Sequence, residues 1–131
     1  MRLWHESLLS KLPRNQLNGQ HRECCALRGG GWNKKHSTVN YIFEYSIERL
    51  VAYHLKVMKE MENRGYNPNP VWKNPNYRGK KCKELPYVNK ILLKNRIKYK
   101  TYSEHNKKYL KECIANLTDK GCVCKYIEDL I

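Results

Sequence analysis

The sequence predicts an all-α protein: one compact domain over residues 1–131, with three principal helices and a long basic Asn/Pro-rich loop. Apolar residues recur at three- and four-residue spacing in three separate segments, and no segment shows the strict alternation of a half-buried strand. Three Asn-Pro steps gather between the second and third of these segments, which excludes helix or central strand through most of that stretch. A chain of 131 residues can bury a modest core without staples.

The first helix is expected over Leu12–Leu27. Pro13 suits a first turn, where a missing N–H costs nothing. Leu17, Cys24 and Leu27 share a stripe, and Gly29-Gly30-Gly31 ends it. The second helix is expected from about Thr38 to Arg64, with Phe43, Ile47, Leu50, Val51, His54, Met58 and Met61 on its apolar side and Gly65 as its stop. The third should start near Ser103, an N-cap residue type, bury Tyr109, Leu110, Cys113, Ile114 and Leu117, and close at Lys120-Gly121. In the intervening loop Tyr66, Trp72 and Tyr77 alternate with Lys73, Arg78, Lys80 and Lys81. That pattern suits base stacking with phosphate contact, or aromatics that pin the loop to the core. The stretch VNKILLKNRIKYK reads as a short basic helix or a basic connector.

Charge bounds the partner. Twenty-six Lys and Arg against twelve Asp and Glu give a formal net charge of +14, more than solubility needs, and point to a polyanion. Its distribution is uneven. Residues 1–35 carry a net +5 and residues 65–103 a net +9, whereas 36–64 and 104–131 each balance. A face or cleft lined by the two basic blocks is expected. No apolar run reaches the roughly 20 residues of a membrane span, and no signal-peptide core is present, so the expected location is the cytoplasm without membrane attachment. The six cysteines should then stay reduced.

Few patterns carry chemistry. Cys24-Cys25 and Cys122-x-Cys124 lack zinc-finger spacing; a zinc site drawing on them with His21 or His105 is the weaker reading, and no metal or other cofactor is expected. The glycine triplet lacks the G-K-[ST] ending of a P-loop. Glu23 stands out as one carboxylate in an otherwise basic, apolar or small segment. Gly19 and Ala26 flank it at helical spacing, leaving room for something to approach, while Arg22 points about 100° away. Taken alone, it reads first as an ordinary surface glutamate.

The stretch LLSKLPRNQLNGQHRE, with Ser10, Leu12, Leu17, Arg22 and Glu23 at fixed distances from the first residue, resembles the pyrimidine-dimer DNA glycosylases of the phage endonuclease V type. The likeness continues through FEYSIERLVAYHLKVMKEMENRGY, ending Arg64-Gly65-Tyr66, and returns weakly at LKECIANLTDKG; roughly half the chain carries it. The resemblance implies an enzyme that binds and kinks damaged double-stranded DNA, flips a base out of the stack and attacks C1′ with its N-terminal α-amine. β-Elimination from the resulting Schiff base then cleaves the strand. It also implies that Glu23 is the essential carboxylate and that Arg22 binds phosphate, with Arg2 one position from an N-terminal arginine of the family. Arg at position 2 should retain Met1, so Met1 becomes the candidate nucleophile beside catalytic Glu23. Candidate DNA contacts are Arg2, Arg14, Arg22, Lys34 and Lys35 in the first block and Arg78, Lys80 and Lys81 in the loop. The protein is expected to act as a monomer. A non-catalytic nucleic-acid-binding protein on the same fold and an RNA-binding or RNA-processing module remain the alternatives.

Overall fold

The computed structural model describes residues 2–29 and 40–121, and all of the described elements are helical. Four α-helices run in the order α1 (Arg14–Arg28), α2 (Ile47–Asn63), α3 (Lys90–Lys98) and α4 (Lys107–Asp119), with 3₁₀ turns at Glu6–Leu8, Asn40–Glu44 and Pro70–Lys73. Among the described residues there is no strand. Met1, Lys34, Lys35, Gly30, Gly31, Cys122 and Cys124 lie outside the described residues, as does the onset expected at Thr38.

α2 is the axis of the domain. Its Leu50, Tyr53, Val57 and Met61 join Leu17, Cys24 and Leu27 of α1, Leu110, Cys113 and Leu117 of α4, and the N-terminal Leu3, Trp4, Leu8, Leu9 and Leu12 in one core. Its Val51 and Ala52 face the other way, onto Val88 and Leu93 at α3. Buried residues on two sides explain why the apolar spacing in this segment is so dense. A Schellman ending closes α2, as the glycine predicts: Gly65 (φ +84°) donates to the carbonyl of Glu62 at 2.9 Å, and Tyr66 to that of Met61 at 2.9 Å. Arg64 then reaches back to the carbonyls of Leu12 and Leu9 and fastens this end to the N-terminal segment.

Three expectations need correction. α2 begins at Ile47 behind Ser46, so Phe43 leaves the helical stripe for a 3₁₀ turn, where it is 37% exposed. α4 begins later than Ser103: Asn106 is its cap, accepting from the Tyr109 N–H at 2.9 Å, while the buried Tyr102 and His105 fill the turn before it. On α4, Tyr109 and Ile114 sit at the edge of the core and are half-buried. The undecided basic stretch is helix α3, capped by Asn89 through the Leu92 N–H at 3.1 Å.

The Asn/Pro loop is held by one residue of α1. Arg28 is fully buried and donates to the carbonyls of Trp72 (2.7 Å), Asn74 (2.8 Å) and Tyr77 (2.9 Å). Its guanidinium lies 5.1 Å from the Trp72 ring centre, and Trp72 meets Tyr77 edge-on at 4.8 Å. Of the two readings of these aromatics, pinning holds for Trp72 and Tyr77. Burial lowers the Arg28 pKa to about 10, which leaves it charged at neutral pH, and among the described residues no carboxylate forms an ion pair with it.

Candidate active site and its basic surround

Gln20 and Glu23 are one helical step of three apart on α1 and share a face turned toward the N-terminal segment. Gln20 is buried, and every hydrogen-bonding position of its amide has a partner. Its Oε1 accepts from the Trp4 N–H at 2.7 Å and lies 2.8 Å from the Tyr53 hydroxyl. Its Nε2 donates to the Arg2 carbonyl at 2.9 Å and to Glu23 Oε2 at 3.1 Å. The Arg2 backbone and the positive charge of the chain's N-terminus lie close enough to the Glu23 carboxylate to favour its ionised form. Helix α1 therefore carries the start of the chain along its side, with the carboxylate at the first described residue.

Two sets of forces act on Glu23. Burial raises its pKa above the ordinary 4.5. The positive charge of the chain's N-terminus, the Arg2 N–H, Lys120 and Arg22 pull the other way without cancelling that rise. A half-buried carboxylate beside cationic groups suits a site where positive charge develops. Arg2 itself is half-buried, its guanidinium 5.7 Å from the ring centre of Tyr109, whose hydroxyl donates to the Leu3 carbonyl.

The predicted cations are partly brought together. Arg14 and Arg22 line one shallow depression with Asn15 and Asn18, and the Arg22 guanidinium folds over Gly19, filling the space that glycine leaves. Arg14 also covers the Tyr66 ring at 5.2 Å. Arg78 is fastened to the end of α1, its Nε donating to the Arg28 carbonyl at 3.0 Å. A turn at Gly79 (φ +103°) follows and exposes Lys80 and Lys81. Cys82 anchors this turn through a bond from its Sγ to the Gly29 carbonyl at 3.0 Å. A side chain at Gly29 would place its Cβ 2.9 Å from the Arg78 carbonyl, so glycine permits the close approach. The second basic block is thus divided between this turn, docked on α1, and α3, packed on α2.

The opposite side of α1 gathers His21 and Cys25 with His54 of α2, whose ligand-type atoms lie within 4.8 Å of one another. Their hydrogen bonds decide how well they could hold a metal. Arg28 can only donate, so His54 Nδ1 accepts at 3.0 Å; its proton then sits on Nε2 and points to His21 Nδ1 at 2.8 Å. Burial, with Arg28 adding to it, lowers the pKa of both imidazoles and keeps them neutral; burial lifts the Cys25 thiol to about 11. A dication would have to displace the Nε2 proton while a guanidinium occupies the other ring nitrogen. The trio fits a hydrogen-bonded chain from Arg28 better than a metal centre.

A cavity of about 980 Å³ opens on the N-terminal segment, lined by His5, Leu9, Leu55, His105 and Leu110, with the exposed Lys59 and Lys107 among its walls. Stacked rings connect it to the Glu23 side: Tyr109 on His105 at 5.0 Å, and His105 on His5 at 5.5 Å. His105 is buried and neutral, its pKa lowered by that burial to about 3, and its Nδ1 has no hydrogen-bond partner.

Sequence reasoning missed Gln20, Tyr53 and Arg28. The spacing of Gln20 three residues before Glu23 was the available signal; the other two depend on contacts across the fold. A family model described as pyrimidine dimer DNA glycosylase matches residues 1–74, more than half of the chain. Neither a comparison with curated proteins nor one with solved structures returned a match.

Proposed function

The chain belongs to the pyrimidine dimer DNA glycosylase family, and from that membership we propose that it excises damaged bases from double-stranded DNA and cleaves the abasic strand through an amine at Met1. The observation that carries this reading is the Gln20 amide, which donates both to the Glu23 carboxylate at 3.1 Å and to the carbonyl of residue 2 at 2.9 Å, one residue from the α-amine. Consecutive Cα atoms are about 3.8 Å apart, so the α-amine starts one residue from this bridge.

An N-terminal amine is the right nucleophile for such a site. With a pKa near 7.7–8.0, roughly a tenth or more is neutral at pH 7, against about 0.04% of an ordinary lysine. The neutral amine attacks C1′ of the damaged nucleotide while the glycosidic bond breaks. The bonding pair leaves with the base, and the nitrogen sheds a proton. Glu23 faces the oxocarbenium-like charge that develops at C1′ and stabilises it. Opening of the sugar ring gives the imine. Removal of a C2′ proton, for which Glu23 is the nearest base on this face, expels the 3′-phosphate oxygen and cuts the strand; hydrolysis of the imine then returns the amine. Arg14, Arg22, Lys80 and Lys81 hold phosphates, and the 980 Å³ cavity beside His5 offers room for an extruded nucleotide.

Nicking of ultraviolet-irradiated supercoiled plasmid tests the activity, and the salt dependence of duplex binding tests the basic surface. Each neutralised phosphate contributes about −0.9 to the log–log slope, so several contacts give roughly −4 or steeper. Removing the charge of Arg22 should flatten that slope by about one and weaken binding alike across sequences. A nearly flat response would make these cations solubility groups, and intact irradiated plasmid would contradict the excision reading.

A further inference from the structure

We infer that Gln20 is the positioning residue of this site, its one planar amide fixing the Glu23 carboxylate and the chain at Arg2 in a single frame. The inference deepens the glycosylase reading of Glu23 and rests on it. A surface glutamine on a helix keeps its amide in water. Gln20 is 1% exposed, and burying an amide is tolerable because each of its polar positions is satisfied.

The four bonds divide by role. The Trp4 N–H can only donate, so it alone fixes which way the amide faces, and the Tyr53 hydroxyl divides its single proton between Oε1 and the nearer Trp4 carbonyl. With Oε1 so committed, Nε2 must present both protons, one to the Arg2 carbonyl and one to Glu23. The Tyr53 hydroxyl meets the Trp4 carbonyl as well, at 2.5 Å, so α2 backs the same frame. Two N–H groups from one planar group set the separation between the carboxylate and the second residue of the chain. That separation decides how far the neighbouring amine can stray from the developing cation. A misplacement of an ångström there is enough to cost roughly a hundredfold in rate.

The discriminating variant is Gln20→Glu. It keeps the Oε1 acceptor for Trp4 and Tyr53 but replaces both donors with a second carboxylate beside Glu23. Two carboxylates so close share a proton and titrate as a pair. Single-turnover base release should fall on the order of 10- to 100-fold at pH 7 with duplex affinity within about twofold. The acid limb of the pH–rate profile should move up by about a unit or more. Carbon-13 NMR of glutamate carboxyls should show the same upward move of the Glu23 titration, a readout independent of catalysis. Tyr53→Phe, which leaves both donors in place but loosens the amide, should cost less than about tenfold in rate and guards against a Gln20 variant that fails to fold.

If the parent releases no base while the Glu23 titration still moves in Gln20→Glu, the glycosylase reading falls and the positioned pair stands. An unmoved titration and pH limb, or a rate loss in either variant that only tracks the folded fraction, would overturn the inference.

Discussion

Glu23→Gln is expected to lower base release by about 100-fold or more while leaving duplex affinity unchanged or slightly tighter. The amide keeps the shape and its oxygen can still accept from Gln20 Nε2, but it cannot balance the charge that forms at C1′. Removing a negative group from a basic face does not weaken phosphate contacts. Stability should move the other way. Because burial raises the Glu23 pKa in the fold, its ionised form is disfavoured there. The stabilising preference for the protonated form is complete below the ordinary 4.5 and fades as pH rises through the higher folded value. The variant should therefore melt at or above the parent at pH 7, and lose that margin near pH 4. Equal base release in variant and parent would return Glu23 to an ordinary half-buried acid.

Arg28→Met carries the largest expected loss of stability, on the order of 3–5 kcal/mol. Methionine fills much of the volume, but the carbonyls of Trp72, Asn74 and Tyr77 and the Nδ1 of His54 all lose their donor. Each buried acceptor left bare costs about 1–3 kcal/mol, moderated where the loop can open to water. Lysine should not rescue, since a single ammonium cannot span four acceptors around a planar fork. Thermal unfolding should shift by roughly 10 °C or more. DNA binding by the surviving folded protein should show a flatter salt slope, because the turn bearing Lys80 and Lys81 is fastened through this clamp and through Arg78. A variant as stable as the parent would mean that the Asn/Pro loop is held by other contacts.

What could be read from the sequence divides along a physical line. α1, α2 and α4 were legible because each buries a stripe whose spacing is local information, and Gly65 marked the end of α2 because only glycine enters the left-handed region cheaply. The start of α2 was not legible. Phe43 fits the helical spacing, but the chain makes a 3₁₀ turn and restarts behind Ser46. α3 escaped assignment because four cations interrupt its apolar residues and Leu93 alone is fully buried among them. Glu23 was legible through its spacing from the first residue in a family pattern. Gln20 was not, since a buried amide takes its meaning from Trp4 and Tyr53, 16 and 33 residues away. Arg28 was counted with the basic block when it is the internal clamp of the loop.

The measurement that bears most directly on the whole account is borohydride trapping on duplex DNA containing an abasic site, followed by peptide mapping of the adduct. An amine held beside Glu23 should give a covalent protein–DNA product, with the modified nitrogen on Met1. Acetylation of that amine, or an N-terminal extension, should abolish trapping and strand cleavage while binding and its salt slope persist. An adduct mapped to a lysine would contradict the nucleophile. No adduct from protein with a free, intact N-terminus would contradict the lyase and leave a DNA-binding protein on a glycosylase fold.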